Sequence, residues 1–238
     1  MPVSMAASPP DLPDIRLSVV DDYTADSKCD EGYLRVRRRK LVAKYDDGQP
    51  SSDPFKYDTV ERWNPDAVAI LPHFVRDGVR FVILRSSVRV PLALRPEPLI
   101  DAGRFPAGAA EGQLWEVVAG LVEKDERTPA GLVLCATRET QEEIGMKVEA
   151  RDVRTLGGPI FPSAGIIGEC IYLFECEVDP TTRRTAEGDG PLERGARIVE
   201  VPLHDALAWC EAGQLPDAKT ELSLRRLSSR LDSGKNRP

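Results

Sequence analysis

Apolar residues along this chain fall mostly into short runs of strand length, interrupted by one longer stretch with helical spacing. Tyr33 to Lys44, YLRVRRRKLVAK, reads as a strand crowded with basic positions, and Asp46-Asp47-Gly48 after it marks a turn. Another extended piece begins at Tyr57 and reaches Arg62. The apolar runs Ala67 to Pro72 and Arg80 to Arg85 predict two strands joined across Asp77-Gly78. Cys170 to Phe174 and Ile198 to Leu203 predict two more, followed by an amphipathic helix over His204 to Glu211 and a last helix over Glu221 to Ser229. The helical stretch runs from Pro129 to Ile144. Thr128 is placed to cap its start, Pro129 to occupy its first position and Gly145 to stop it in a left-handed conformation.

That helix carries the chemistry. Glu139, Glu142 and Glu143 share an arc of roughly 100° at 100° per residue, and Val133, Thr137, Thr140 and Ile144 fall towards the other side, which is set to face a core. Like charges three and four residues apart repel, so the arrangement costs stability unless a cation or basic side chains pair with it. Hard carboxylate oxygens suit Mg²⁺, which is commonly held by a few carboxylates together with substrate phosphates. A solvated acidic face is the plainer reading of three glutamates taken alone. The basic run Arg35, Arg37, Arg38, Arg39 and Lys40 admits an anion site, but a charged edge strand accounts for it more simply. Cys135, one turn before Glu139, reads as a small packing residue rather than a thiol nucleophile.

Composition narrows the classes. The 238 residues are 41% hydrophobic, ample for a core, and the net charge of −7 with a pI near 5.1 lacks the basic footprint of a nucleic-acid binder. No apolar run approaches the roughly 20 residues of a membrane span, and the start of the chain lacks the basic-then-apolar order of a signal peptide. Five cysteines, Cys29, Cys135, Cys170, Cys176 and Cys210, include no CxxC pair, which fits free thiols in a reducing cytoplasm. His73 and His204 stand outside any ligand pattern, which argues against zinc. Residues 1–28, rich in Pro, Ser, Ala and Asp, read as a disordered leader.

Gly120, Glu126 and then Arg138-Glu139-Thr140-Gln141-Glu142-Glu143-Ile144-Gly145 resemble the Nudix box, the signature of hydrolases that cleave nucleoside diphosphates linked to another group. The chain departs from it in two ways: eleven residues rather than seven separate Glu126 from Arg138, and Thr140 stands where an aliphatic residue is usual. Four extra residues are close to one helical turn and slip the phase by only about 40°, so the insertion is expected to lengthen the helix at its start. It puts in question whether Glu126 reaches the site. Further segments resemble the ADP-ribose pyrophosphatase group of the family. They are Tyr57-Asp58-Thr59-Val60-Glu61-Arg62, Ser87-Val88-Arg89-Val90-Pro91, Ser163-Ala164-Gly165 followed by Glu169, and Asp217-Ala218-Lys219-Thr220. Pro162, sixteen residues past Met146, fits the proline that marks ADP-ribose-active members, although Ala164 occupies the proline's place in the local motif.

The resemblance implies an α/β fold: a Nudix α/β/α sandwich with a mixed sheet (residues 63–227), a small N-terminal β-domain before it (29–62) and a flexible tail after it (228–238). It implies Mg²⁺, with Mn²⁺ as a substitute, on Glu139, Glu142, Glu143 and the Ala119 carbonyl, and a catalytic base in Glu169 or a glutamate of the box. Tyr57 is implied to stack on a base, beside Asp58 and Arg62, and Arg89 to approach the diphosphate. Tyr57 is equally read as an ordinary strand aromatic, and Glu169 as a solvated residue at a strand start. Arg138 is expected to anchor the loop through an ion pair. The expected reaction is hydrolysis of a nucleoside diphosphate sugar, ADP-ribose first, giving AMP and ribose 5-phosphate. A GDP- or UDP-sugar pyrophosphatase and a non-catalytic nucleotide sensor stand as alternatives. The group's crossed N-terminal strands imply a homodimer.

Overall fold

The computed structural model describes residues 15–22, 33–46, 49–94, 112–186 and 196–235, without the side chains of 15–19, 22 and 234–235. Cys29 and the connection 95–111 lie outside the described residues. The chain divides into two compact units: residues 1–63 with Gly165–Ile167, and residues 64–164 with 168–238.

The first unit is an antiparallel sheet in the order β1 (Ile15–Asp22), β2 (Arg35–Tyr45), β3 (Phe55–Glu61). Its first strand lies within the segment expected to be a leader. In Ile15-Arg16-Leu17-Ser18-Val19 apolar and polar residues alternate, and the segment pairs with β2 from Ile15↔Tyr45 to Asp22↔Arg39. The basic strand β2 is therefore central rather than an edge. Its charges are met from β3: Arg37 Nε bonds Glu61 at 3.0 Å, Arg39 Nη2 bonds the same carboxylate at 3.2 Å, and Arg38 lies 3.5 Å from Asp58. Burial pushes the Glu61 pKa up, but the two guanidiniums outweigh it and hold the carboxyl below its ordinary value.

The second unit is a seven-stranded mixed sheet. Its strands are β4 (Ala67–Arg76), β5 (Val79–Val88), β6 (Gln113–Glu116), β7 (Val118–Leu121), β8 (Val153–Thr155), β9 (Ile171–Glu177) and β10 (Ile198–Pro202). The main path runs β10-β5-β4-β9-β8, with β4 and β9 parallel and the other pairs antiparallel. Between the strands are α1 (Val90–Ala93) and α2 (Pro129–Ile144), and α3 (Leu203–Glu211) and α4 (Ala218–Lys235) follow β10. Helix α4 runs well past the expected Ser229. Leu227 is buried and Leu231 packs on the core, so its apolar stripe has a partner over most of its length.

Side chains of β4 point alternately to the two faces, and both faces are apolar. Ala67, Ala69 and Leu71 join Leu203, Leu224 and Leu227 of α3 and α4, while Val68 and Ile70 join Cys135, Ala136 and Ile144 of α2. A sheet covered on both sides is the expected sandwich. The turn between β4 and β5 places Asp77 at φ 50° and Gly78 at φ 77°, the left-handed pair that a two-residue hairpin needs. Beyond this turn the two strands pair only from His73↔Val82 to Arg76↔Val79. They then part: β7 pairs the first half of β4 and β6 pairs the last residues of β5. The sheet is forked there, and the fork positions the site.

Candidate active site

Helix α2 begins and ends as its caps dictate. Thr128 Oγ1 accepts the Gly131 N–H at 3.0 Å, and Gly145 takes φ 68° while its N–H bonds the Gln141 carbonyl at 2.9 Å. Gly145 is needed twice over, because a Cβ there would stand 2.0 Å from the Arg184 carbonyl oxygen. The face of the helix turned to the sheet differs from expectation. Glu139 and Glu143 are each only 8% exposed and lie among the buried residues Cys135, Ala136 and Thr140. Two carboxylates thus sit within the buried arc of the helix instead of opposite it. Burial of an unpaired carboxylate is prohibitive; here partners at the fork permit it.

Those partners are specific. Arg85, the β5 residue in register with Glu116 of β6, is 3% exposed and pairs with Glu143 through its Nη1. The other Glu143 oxygen accepts the Ala119 N–H of β7 at 3.0 Å. Glu139 enters where Gly120 has no side chain: a Cβ there would come within 1.8 Å of its carboxyl carbon. Arg138 gathers the remaining charges. Its Nη1 reaches Glu139 at 2.7 Å and Glu142 at 3.0 Å, its Nε and Nη2 hold Glu126 at 3.1 and 3.0 Å, and Nη2 also bonds the Leu121 carbonyl at 3.3 Å. Glu126 therefore does meet the box arginine despite the insertion. At the first turn of α2, Gly131 lets the Glu126 backbone approach closely. Hydrogen bonds from Arg138 and from the Glu123 N–H outweigh burial and hold the Glu126 carboxyl below its ordinary pKa. Burial pushes the Cys135 thiol well up, so it is a packing residue and not a nucleophile.

The donors suit a hard divalent cation in kind: carboxylate oxygens on one helix face and a backbone strand beside them. As arranged, the described residues contain no group of three His, Cys, Asp or Glu side chains converged to hold a metal. Arg138 lies on oxygens of Glu139 and Glu142, and Arg85 on one of Glu143.

A second network fixes the strand that leads into the fork. Glu116, 1% exposed, receives Arg89 Nε at 2.8 Å, Arg89 Nη2, and Lys219 Nζ at 2.9 Å. Burial would raise its pKa, yet the two cations hold it below the ordinary value. Asp217 caps α4, accepting the Thr220 N–H at 2.9 Å, and the Thr220 hydroxyl accepts the Val117 N–H at 2.9 Å. The Asp-Ala-Lys-Thr segment thus pins the end of β6 and Val117 after it to α4. Arg89, expected at the diphosphate, is half-exposed and already braced by Glu116. Glu169 is partly buried just before Ile171, which is in register with Ala67; Ala67 in turn pairs with Leu121 of β7, so Glu169 belongs to the same end of the sheet as the box. Tyr57, Asp58 and Arg62 belong to the first unit. The Tyr57 ring is 42% exposed and its hydroxyl donates to the Gly165 carbonyl at 2.8 Å, while Asp58 pairs with Arg38. Arg85, Glu116, Lys219 and Thr220 were not singled out individually from the sequence. A charged residue ending an apolar strand run, as at Arg85 and Glu116, was the signal available.

Comparison with known proteins identifies the family. The model of the NUDIX domain matches residues 75–231, and the chain belongs to that family. Among curated relatives, the GDP-mannose pyrophosphatase of Yersinia pestis (strain Pestoides F) is 35% identical over 130 residues, 53% of this chain and 61% of the relative. That of Cronobacter sakazakii (strain ATCC BAA-894) is 33% identical over 123 residues, 52% and 60% of the two chains. The chain thus spans about three-fifths of the length of these relatives. A crystal structure described as an ADP compounds hydrolase superposes with a TM-score of 0.60 at 18% identity, covering 98% of this chain and all of that one, which shows a shared fold.

Proposed function

We propose that the protein hydrolyses the diphosphate bond of a nucleoside diphosphate sugar. The observation that carries this reading is that Glu139 and Glu143 turn into the strand fork beneath Gly120, with Glu142 joined to Glu139 through Arg138. A divalent cation, Mg²⁺ or Mn²⁺ in its place, would be held by these carboxylates and the Ala119 carbonyl, and would neutralise diphosphate charge and acidify the attacking water. Glu169, or a glutamate of the box, accepts the proton of that water. Arg89 presents a guanidinium to the diphosphate, in an orientation that Glu116 sets. Arg138 spaces the carboxylates and ties the helix to Glu126 and the Leu121 carbonyl. Tyr57, Asp58 and Arg62 are assigned to the nucleoside.

For the nucleotide, the relatives named GDP-mannose pyrophosphatases favour GDP-mannose as the first substrate to test. ADP-ribose is the second reading, on Pro162 and Ser163-Ala164-Gly165. Turnover of GDP-mannose, ADP-ribose, ADP-glucose and UDP-glucose with Mg²⁺, read by phosphatase-coupled release, decides between them. A lead of more than about tenfold in kcat/KM, roughly 1.4 kcal/mol, assigns the substrate. Tight binding without turnover of any of them would leave a nucleotide sensor instead. Homodimerisation through the N-terminal strands is part of the same proposal, and light scattering on the full chain and on a chain lacking residues 1–60 tests it. No helix among the described residues is long and apolar enough to cross a membrane, and Cys135, Cys170, Cys176 and Cys210 are free and buried.

A further inference from the structure

Glu143 is the carboxylate most completely engaged by the sheet. One oxygen accepts the Ala119 N–H and the other pairs with Arg85. The two arginines of the site differ in their freedom. Arg138 is 30% exposed on its side chain and extends from the helix surface, whereas the Arg85 side chain is 4% exposed and rises from a strand paired with β6 and β10. Arg138 has solvent to move into. Arg85 does not, so its positive charge is a fixed feature of the fork. Glu126, Glu139, Glu142 and Glu143 bring four negative charges, and Arg85 and Arg138 return two, leaving two negative charges, the complement of one divalent cation.

We propose that Arg85 is a positioning residue that competes with the divalent cation for Glu143 and thereby sets the affinity of the site for that cation. The proposal rests on the reading of Glu139, Glu142 and Glu143 as cation ligands. A guanidinium sharing a carboxylate with a divalent cation repels it at short range in a buried setting, where such repulsion is poorly screened. It also holds Glu143 in its rotamer when no cation is bound. The cation then binds Glu143 beside a guanidinium that stays in place, and it leaves without exposing a bare buried carboxylate.

Mn²⁺ titration calorimetry on the full chain tests this with four proteins: wild type, Arg85→Met, Arg85→Lys and Glu143→Gln. Arg85→Met is expected to bind Mn²⁺ at least tenfold more tightly than wild type, and Arg85→Lys, which keeps the charge, to stay within about threefold of it. Glu143→Gln is expected to bind at least tenfold more weakly. If Arg85→Met binds equally or more weakly while Glu143→Gln is impaired, the cation site stands and the competition is wrong. Unchanged binding in Glu143→Gln overturns the site itself and the proposal with it. A readout on the wild-type protein covers failure of the variants to fold. In ¹⁵N NMR with added Mg²⁺, the Arg85 Nε–H signal must move together with the Ala119 amide. An Arg85 signal that stays put while Ala119 shifts rejects the proposal.

Discussion

Two buried ion networks lie along β4, and they are built on opposite principles. At the fork, beside Ala69 and Ile70, four glutamates face two arginines. Further along the strand, His73 accepts Arg80 Nη1 on its Nδ1 at 2.7 Å, so its Nε2–H donates to Glu175. Arg230 pairs with the same Glu175, and Arg80 also reaches Glu177 at 2.9 Å. A cavity of about 170 Å³ opens there, lined by His73, Arg80, Glu175 and Arg230 among others. Two glutamates balance two arginines around the imidazole, and each of these groups has a partner. The fork keeps an acidic excess and admits a carboxylate only through a missing side chain at Gly120. A balanced network explains itself by the charges it pairs; an unbalanced one calls for a further cation.

The sharpest way to break this contrast is Glu143→Gln. Turnover should fall by about 10³, the several kcal/mol that metal-centred charge stabilisation supplies, and EDTA should abolish wild-type activity. The same substitution leaves Arg85 buried without its carboxylate, so the variant should also melt earlier rather than gain from relieved repulsion. Near wild-type kcat in Glu143→Gln, or activity that survives EDTA, would remove the fork from the mechanism. Gly120→Ala separates geometry from charge. The added methyl displaces the Glu139 carboxylate, the far end of a flexible side chain, so kcat/KM should drop about 10²-fold, the scale of a 1 Å misplacement. Its urea midpoint should move little.

Glu175→Gln addresses the other end of the strand. Breaking a buried pair costs about 3 kcal/mol of stability, read by urea denaturation, while kcat/KM should stay within about threefold of wild type. A large kinetic loss would mean that the balanced network serves the reaction after all. The smallest effect expected is in pH dependence. Burial pushes the Glu175 pKa up, but hydrogen bonds from His73 and Arg230 hold it below its ordinary value of 4.5. The unfolded chain therefore binds the proton first as pH falls, and the stability contributed by Glu175 is complete above 4.5 and lost below it. Glu175→Gln should flatten that acid limb of the stability curve, whereas Gly120→Ala should leave it unchanged.

Much of the second unit was legible because it depends on local rules. Thr128, Pro129 and Gly145 bound α2 by capping, Asp77-Gly78 sets the hairpin, and the unbroken apolar run of β4 requires a layer on each face. Strand β1 escaped because its one alternating run lies in a segment whose composition reads as leader. The last helix was drawn short because its polar final turns pack through Leu231 alone among their large apolar residues. The basic strand was taken for an edge because strand order is not a local property: its acids lie on β3, some twenty residues away.

What the sequence determined by itself was which residues carry charge and where the helix that bears them starts and stops, since caps and spacing act within a few residues. The direction in which Glu139 and Glu143 point was decided only by the tertiary structure. Spacing along a helix defines an arc but not what that arc meets, and a carboxylate at the centre of a buried face is tolerable only when cations and N–H groups from elsewhere converge on it. Arg85 comes from β5 and the Ala119 N–H from β7, and the parting of β4 and β5 brings both to the same helix.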